Sequence, residues 1–319
     1  ENRFVVLWGK DRERYLEMKE NGADVIQLNA SKRHPFQMLK QVEKCRREKD
    51  FQVIVVHHSA PWSYIYLILI KKFLAPQIKT IIYAHENGSD MIHPQKRGVR
   101  VRKGILCIAL HNADGVIAIS NSVKESLKQY LRNDSTKISV IYNGVDLTKY
   151  HYNRETTRYS SKNVRIIYVG RLIKEKGVQL TLKALSELPS ELKWSFQIVG
   201  DGPYRETLEA YCNQLGLEDR VRFLGTRQDV PDLLSQADVF IHMPVWEEGF
   251  GITIIEAMAM GLLCICSDNG AIPEIIKNYD NGILVKKNDT VELTHILENL
   301  IPNFQSEKYG QMRKKAIEG

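Results

Sequence analysis

The sequence predicts an α/β fold built from two Rossmann-like, doubly wound domains facing a central cleft. Three observations carry this. Short Val/Ile-rich runs alternate with longer Lys/Glu-rich segments of helical spacing. The alternation stops at one polar, aperiodic stretch and then restarts. The chain has 319 residues, a length that suits two domains of about 150 each.

In chain order the first runs are RFVVLWG, ADVIQLN, FQVIVVHH, KTIIYAH, GVIAIS and KISVIYN. Each is short, apolar and β-branched, and reads as a strand buried on both faces of a parallel sheet. The segments between most of them, such as PFQMLKQVEKCRREKD and SNSVKESLKQYLRND, read as crossover helices. PWSYIYLILIKK is apolar for about nine residues where a membrane span needs roughly 20, so it predicts a buried or surface-seeking helix. HYNRETTRYSSKN, residues 151–163, is the linker. Strands then resume at VRIIYVG, WSFQIVG, VRFLG, DVFIHMP, LLCICSD and GILVK. The expected boundary divides residues 1–150 from 151–319.

Composition narrows the function classes. Hydrophobic residues make up 43% and charged residues 26%, which excludes a disordered chain. The five cysteines form no CxxC pair and read as reduced core thiols. The net charge of +7 is uneven: residues 1–150 carry +10 and residues 151–319 carry −3. A basic first half suits an anionic partner, and HPQKRGVRVRKG concentrates Lys96, Arg97, Arg100, Arg102 and Lys103. That segment has little aromatic interleaving, which argues against nucleic acid.

Open α/β sheets bind ligands at the carboxyl ends of their strands, so the residues after each strand are where chemistry is expected. Arg171 and Lys176 follow VRIIYVG; the pair suits a diphosphate, and a solvated basic loop is the alternative. VGDGPYRETL lacks the third glycine of a dinucleotide fingerprint, which excludes a nicotinamide site of that type. Gly225 and Thr226 follow VRFLG, where a glycine admits a flat base or makes a plain turn. In EEGFGITIIEAMAMG, Glu248 lies in a loop and Glu256 lies inside a helix. Gly249, Phe250, Gly251 and Ile252 form the turn and helix start, whose free N–H groups favour an anion or clustered hydroxyls. Glu256 falls within an apolar run, which predicts a buried, partnered carboxylate. His57, His58 and His85 end two strands, and no acidic cluster accompanies them to make a metal site.

EEGFGITIIEAMAMG, GRLIKEKG, GDGP and NGVD, taken together, resemble the retaining nucleotide-sugar glycosyltransferases of family four, which have the GT-B fold. The resemblance implies an acceptor-side N-terminal domain and a donor-binding C-terminal domain. Arg171 and Lys176 match the family's diphosphate-holding pair, Glu256 its ribose acid and Glu248 its sugar-facing acid. The amides of Gly249, Phe250 and Gly251 match the turn at sugar and phosphate, and His85 matches the histidine near the transfer centre. The implied activity is transfer of a sugar from an NDP-sugar to a glycan or lipid-linked acceptor, with UDP-sugars first and GDP-mannose next. No metal or other cofactor is required, because no DxD pattern is evident at a suitable strand end. Peripheral docking to an anionic membrane at its cytoplasmic face is also expected. A non-catalytic nucleotide-sugar or glycan-binding module is the alternative. The family opens with a strand and a Gly-rich loop before its first helix. RFVVLWG and its successor resemble the second and third strands instead, so the first strand–helix unit is expected to be missing. The family usually continues with a helix that crosses back to the N-terminal domain, where this sequence stops at MRKKAIEG.

Overall fold

The β-branched runs form strands because their side chains can be covered on both faces. In this computed structural model the described residues are 5–8, 24–27, 40–48 apart from 42 and 46, 52–57, 61–91, 98–131, 136–152, 163–277 and 280–318. Most of the proposed linker, together with His58, Lys96 and Arg97, lies outside them. The chain divides into two compact units: Glu1–Ala118 with Lys124–Val140, and Ile119–Val123 with Ile141–Gly319.

In the first unit, β1 (Val5–Trp8) pairs in parallel with β2 (Asp24–Gln27). A separate parallel sheet runs in the order β3 (Val53–Val56), β4 (Lys79–Ala84), β5 (Gly115–Ala118), β6 (Ile138–Val140). β4 and β5 bury alternate residues completely, including Ile82, Ala84, Val116 and Ala118. β3 departs from the expectation of burial on both faces. Among the described residues it lies at the sheet edge, and Val53 and Val55 are exposed. The apolar PWSYIYLIL segment is helix α1 (Pro61–Leu69), continued by a π-helical turn over Ile70–Leu74. Lys71, in that turn, reaches Asp114 at 2.7 Å, and Asp114 also accepts from the backbone and hydroxyl of Thr80. Burial pushes the Asp114 carboxyl up, but these donors outweigh it and hold it at about 2. Helices α2 (Gly88–Met91), α3 (Val99–Asn112) and α4 (Asn121–Lys128) follow, with residues 121–123 of α4 in the second unit. Among the described residues no helix is long and apolar enough to cross a membrane.

The second unit holds a six-stranded parallel sheet. Its strands are β7 (Val164–Val169), β8 (Trp194–Val199), β9 (Val221–Gly225), β10 (Val239–His242), β11 (Leu263–Asp268) and β12 (Ile283–Lys286). Their spatial order is β12-β11-β10-β7-β8-β9. The chain therefore starts in the middle, winds outward one way, and crosses back to wind outward the other way. The reversal falls between β7 and β10. That is the topological switch point, where two neighbouring crossovers leave in opposite directions and open a crevice at the carboxyl ends.

Alternation along β7 shows how both faces are filled. Val164, Ile166 and Tyr168 enter one core with residues of α5 (Val178–Ser186), α6 (Arg205–Gln214), α10 (Thr290–Asn303) and α11 (Glu307–Glu318). Ile167 and Val169 enter the opposite core with residues of α7 (Val230–Ser235), α8 (Ile252–Ala259) and α9 (Ile272–Ile275). Cys264 and Cys266 join the second core as free thiols.

Two contacts fasten the seam between β7 and β10 at its amino end. The Asp238 carboxylate, fully buried, accepts from Arg165 through its backbone N–H at 2.8 Å, Nε at 3.0 Å and Nη2 at 2.9 Å. The Asp238 N–H returns a bond to the Arg165 carbonyl at 2.8 Å. The strand pairs Val239–Ile166 and Phe240–Ile167 follow, and pairing ends there, two residues before either strand does. Beyond that point the loops meet through backbone. The Val245 N–H donates to Glu175, and Gly177, at φ +72°, sits where any Cβ would overlap the Met243 carbonyl.

Gly177→Ala combines that overlap with left-handed strain and is expected to cost about 2–5 kcal/mol in urea unfolding. Gly216→Ala, at φ +66° with open space around the new methyl, should lose only about 1–2 kcal/mol. Equal losses in the two variants would mean that the Gly177 contact is not a tight one.

Candidate active site

The residues after β7 and β10 converge within the second unit. After β7 the chain turns through Gly170, leaves Arg171 exposed, and forms a single 3₁₀ turn, Lys174–Lys176. After β10 it runs through Met243–Glu247 to Glu248 and enters α8 from Gly251, which takes φ +95°. Lys176 Nζ lies 2.6 Å from Glu248 Oε2, and His242 Nε2 lies 3.0 Å from the same oxygen. The side chains of His242, Glu248 and Lys176 are 3%, 13% and 21% exposed.

Four neighbours hold the Glu248 turn. Asn269, just past β11, donates to the carbonyls of Pro244 and Trp246. The Ala271 N–H donates to the Glu248 carbonyl at 2.9 Å. A Cβ on Gly270 would overlap the Glu248 backbone. The Ser120 hydroxyl, in the short stretch of chain that belongs to this unit, donates to the Gly249 carbonyl at 2.8 Å. Phe250 is buried against Tyr142, with ring centroids 5.9 Å apart, and Ile252 is exposed at the helix start.

The two acids have opposite electrostatics. Burial pushes the Glu248 carboxyl up, but the His242 hydrogen bond and the charges of His242 and Lys176 outweigh it, and the carboxyl is held at about 2. Burial raises Glu256 above its ordinary value, and a hydrogen bond from the Tyr150 hydroxyl only partly offsets this. Tyr150 in turn is pushed up to about 12 by burial and by the Glu256 charge. Glu256 stands one turn into α8, half-buried.

Lys176 and Glu248, expected to serve the diphosphate and the sugar separately, are thus bonded to each other. Gly225 takes φ +68° at the end of β9, with Arg205 close to where a Cβ would stand, and Thr226 is exposed. His85 belongs to the first unit. It follows β4, and its Nε2 lies 3.1 Å from Nδ1 of His57, which follows β3. The rings of His57, Tyr83 and His85 stack mutually at 4.7–5.3 Å. Burial lowers both histidines. Among the described residues no group of three or more His, Cys, Asp or Glu could hold a metal. Sequence reasoning missed Tyr150, His242 and Asn269, none of which stands inside a motif.

The model for the family described as "Glycosyl transferases group 1" matches residues 152–319, and that for "Glycosyltransferase Family 4" matches residues 4–149. The chain belongs to the group 1 glycosyltransferases. Among curated members it is 27% identical to N-acetyl-alpha-D-glucosaminyl L-malate synthase of Bacillus anthracis, over 79% of this chain and 65% of that one. It is 30% identical to UDP-Gal:alpha-D-GlcNAc-diphosphoundecaprenol alpha-1,3-galactosyltransferase of Escherichia coli, over 64% and 56%. The chain thus spans about half to two thirds of the length of such relatives. Its fold is that of the GT-B transferases: HepE of Anabaena, solved in complex with UDP, superposes with a TM-score of 0.82 at 23% identity, covering 98% of this chain and 86% of that one.

The opposite shifts predict opposite effects of neutralisation. Glu248, depressed, contributes stability that is present above about pH 4.5 and lost as pH falls through about 2. Glu248→Gln is therefore expected to unfold below the wild-type temperature near neutrality, with the gap closing as pH falls past about 4.5. Glu256, raised, costs stability that appears as pH climbs through its folded value. Glu256→Gln should match or exceed wild type at neutral pH, with the advantage fading in acid. Thermal unfolding across that range checks both; equal signs for the two variants would contradict the assigned environments.

Proposed function

We propose that the chain is a retaining glycosyltransferase that moves a sugar from a nucleoside-diphosphate sugar, first of all a UDP-sugar, to a glycan or lipid-linked acceptor. The observation that carries this is the acid–cation pair of Glu248 and Lys176 at the β7/β10 switch point, with Glu256 one turn into the adjoining helix. Family membership supports it, as does the likeness to a protein solved with UDP and to a relative named for UDP-Gal and a diphosphoundecaprenol acceptor.

In this reading Arg171 and Lys176 take the donor diphosphate. Glu256 accepts from the ribose hydroxyls and Glu248 from the sugar hydroxyls. The amides of Gly249, Phe250 and Gly251 lie against sugar and phosphate, while Gly225 and Thr226 border the base. The bond from the anomeric carbon to the diphosphate oxygen breaks. A bond to the acceptor oxygen forms on the same face, and the acceptor proton passes to the leaving phosphate. Charge grows on the diphosphate during that step, so preorganised cations and amides supply the main stabilisation. No metal is required, because the cations that meet the phosphates belong to the chain. His85 is the candidate for the family's transfer-centre histidine by its place in the YAHENG run.

The same reading includes peripheral association with an anionic membrane at its cytoplasmic face. Phe73 and Val101 are 75% and 67% exposed, and each is adjacent in sequence to an exposed cation, Lys72 and Arg100. Together with Lys103 these could each add about 1 kcal/mol near anionic lipid. Arg100→Glu with Lys103→Glu is expected to abolish pelleting with anionic vesicles and leave neutral vesicles unaffected; unchanged pelleting would remove the membrane from the account.

The enzyme is tested with a panel of UDP-, GDP- and ADP-sugars. A bound donor should raise the unfolding temperature, because it binds only the folded state. Lys176→Ala should lower kcat/KM roughly 30- to 1,000-fold. Stabilisation by a donor with neither transfer nor slow hydrolysis would make the chain a nucleotide-sugar-binding module instead.

A further inference from the structure

The reading above gives Glu248 a ligand but leaves its neighbour on β10 without a task. His242 ends a strand whose other residues, Val239, Phe240 and Ile241, are fully buried and apolar. An imidazole in that row must lose its water. Its ring is stacked on those of Tyr168 and Phe240, with centroids 6.0 and 6.1 Å away. Its Nδ1 is buried with no hydrogen-bond partner among the described residues, while its Nε2 reaches Glu248. A buried, unsatisfied ring nitrogen costs stability that an aliphatic residue of similar size would not. Among the described residues the Nε2 contact is the one side-chain hydrogen bond that offsets it.

The protonation pattern follows from geometry. The Glu248 carboxylate is ionised near neutrality and can only accept. The hydrogen between it and the ring therefore sits on Nε2.

The contacts on the carboxylate are also divided unevenly. His242 and Lys176 both bond Oε2, and among the described residues nothing bonds Oε1. Two donors on one oxygen fix the rotation of the group and leave the other oxygen available. In the proposed reaction Lys176 turns to a diphosphate, and the carboxylate then keeps one anchor.

We infer that His242 is a positioning residue: its Nε2–H holds Oε2 of Glu248 so that Oε1 faces the donor sugar, and it keeps that hold when Lys176 engages phosphate. This rests on the assignment of Glu248 above.

The test combines a spectroscopic and a kinetic readout. Nitrogen-15 histidine labelling of the whole chain gives nine ring systems, and the one missing from His242→Gln is His242. The expected pattern is a proton on Nε2 in wild type, with the ring resonances moving in Glu248→Ala. An Nε2 without a proton, or resonances unmoved by Glu248→Ala, overturns the inference. In turnover with a UDP-sugar, His242→Leu is expected to lower kcat roughly 10- to 100-fold with donor KM changed less than about threefold. His242→Gln, whose Nε2 stands the same three bonds from Cβ, should recover to within about fivefold of wild type. A folded His242→Leu variant with wild-type kcat overturns the inference; should that variant not fold, the wild-type and Glu248→Ala spectra decide. Glu248→Ala separates the two levels. If it transfers sugar as wild type does, the role of Glu248 itself is lost; if it is inactive while His242→Leu is active, only the positioning role is lost.

Discussion

The seam between β7 and β10 is the constraint on which the second unit depends. It is clasped at one end by Arg165 and the buried Asp238, and at the other by Lys176 and Glu248. Between the clasps only two residue pairs are in register. The sheet must reverse its winding here, so the strands part early, and beyond the last pair the rings of Tyr168 and His242 stack at 6.0 Å. The amino-end clasp is saturated: Asp238 receives three donors from one residue. The carboxyl-end clasp has spare capacity on Oε1 of Glu248. That difference separates a structural ion pair from one that can exchange partners. A buried pair adds little net stability once both groups have been desolvated, so the Lys176–Glu248 bond is not by itself a source of strength.

The two acids of α8 and its entry loop extend the same logic. Glu248 is surrounded by donors and stays ionised; Glu256 is half-buried, has the Tyr150 hydroxyl as its donor, and ionises against a penalty. One is pre-paired and the other awaits further donors. A ligand offering a diphosphate and two sets of vicinal hydroxyls would satisfy both. The glycines around them are packing requirements: Gly177 and Gly270 stand where backbone crosses backbone, so the loops that carry Lys176 and Glu248 are in direct main-chain contact.

Much of this was legible in the sequence. β7 and β8 are six-residue apolar runs whose Val, Ile and aromatic side chains can only be satisfied between two layers. EEGFGITIIEAMAMG announces a loop acid, a glycine turn and a helix that carries a second acid. What the sequence does not display are contacts made across the switch point. Lys176 and Glu248 are 72 residues apart, and each has its own motif, so their bond follows from strand order, not from spacing. His242 sits in VFIHMP, where a histidine resembles a tolerated strand residue; its reach to Glu248 depends on how Met243–Glu247 folds back. Tyr150 precedes the linker and reaches Glu256 through tertiary packing alone. In the first unit the apolar content of FQVIVVHH suggested full burial, but β3 is an edge strand, a property of sheet order that no local pattern records.

The central claim is that an activated sugar binds at the β7/β10 switch point by exchanging partners with the Lys176–Glu248 pair. It is tested most directly by the structure of crystals soaked with an intact UDP-sugar. The account predicts Lys176 and Arg171 on the diphosphate, the sugar hydroxyls on Oε1 of Glu248, the ribose on Glu256, and Oε2 still on His242. A bound nucleotide elsewhere, with the Lys176–Glu248 bond intact and Glu256 untouched, would contradict it.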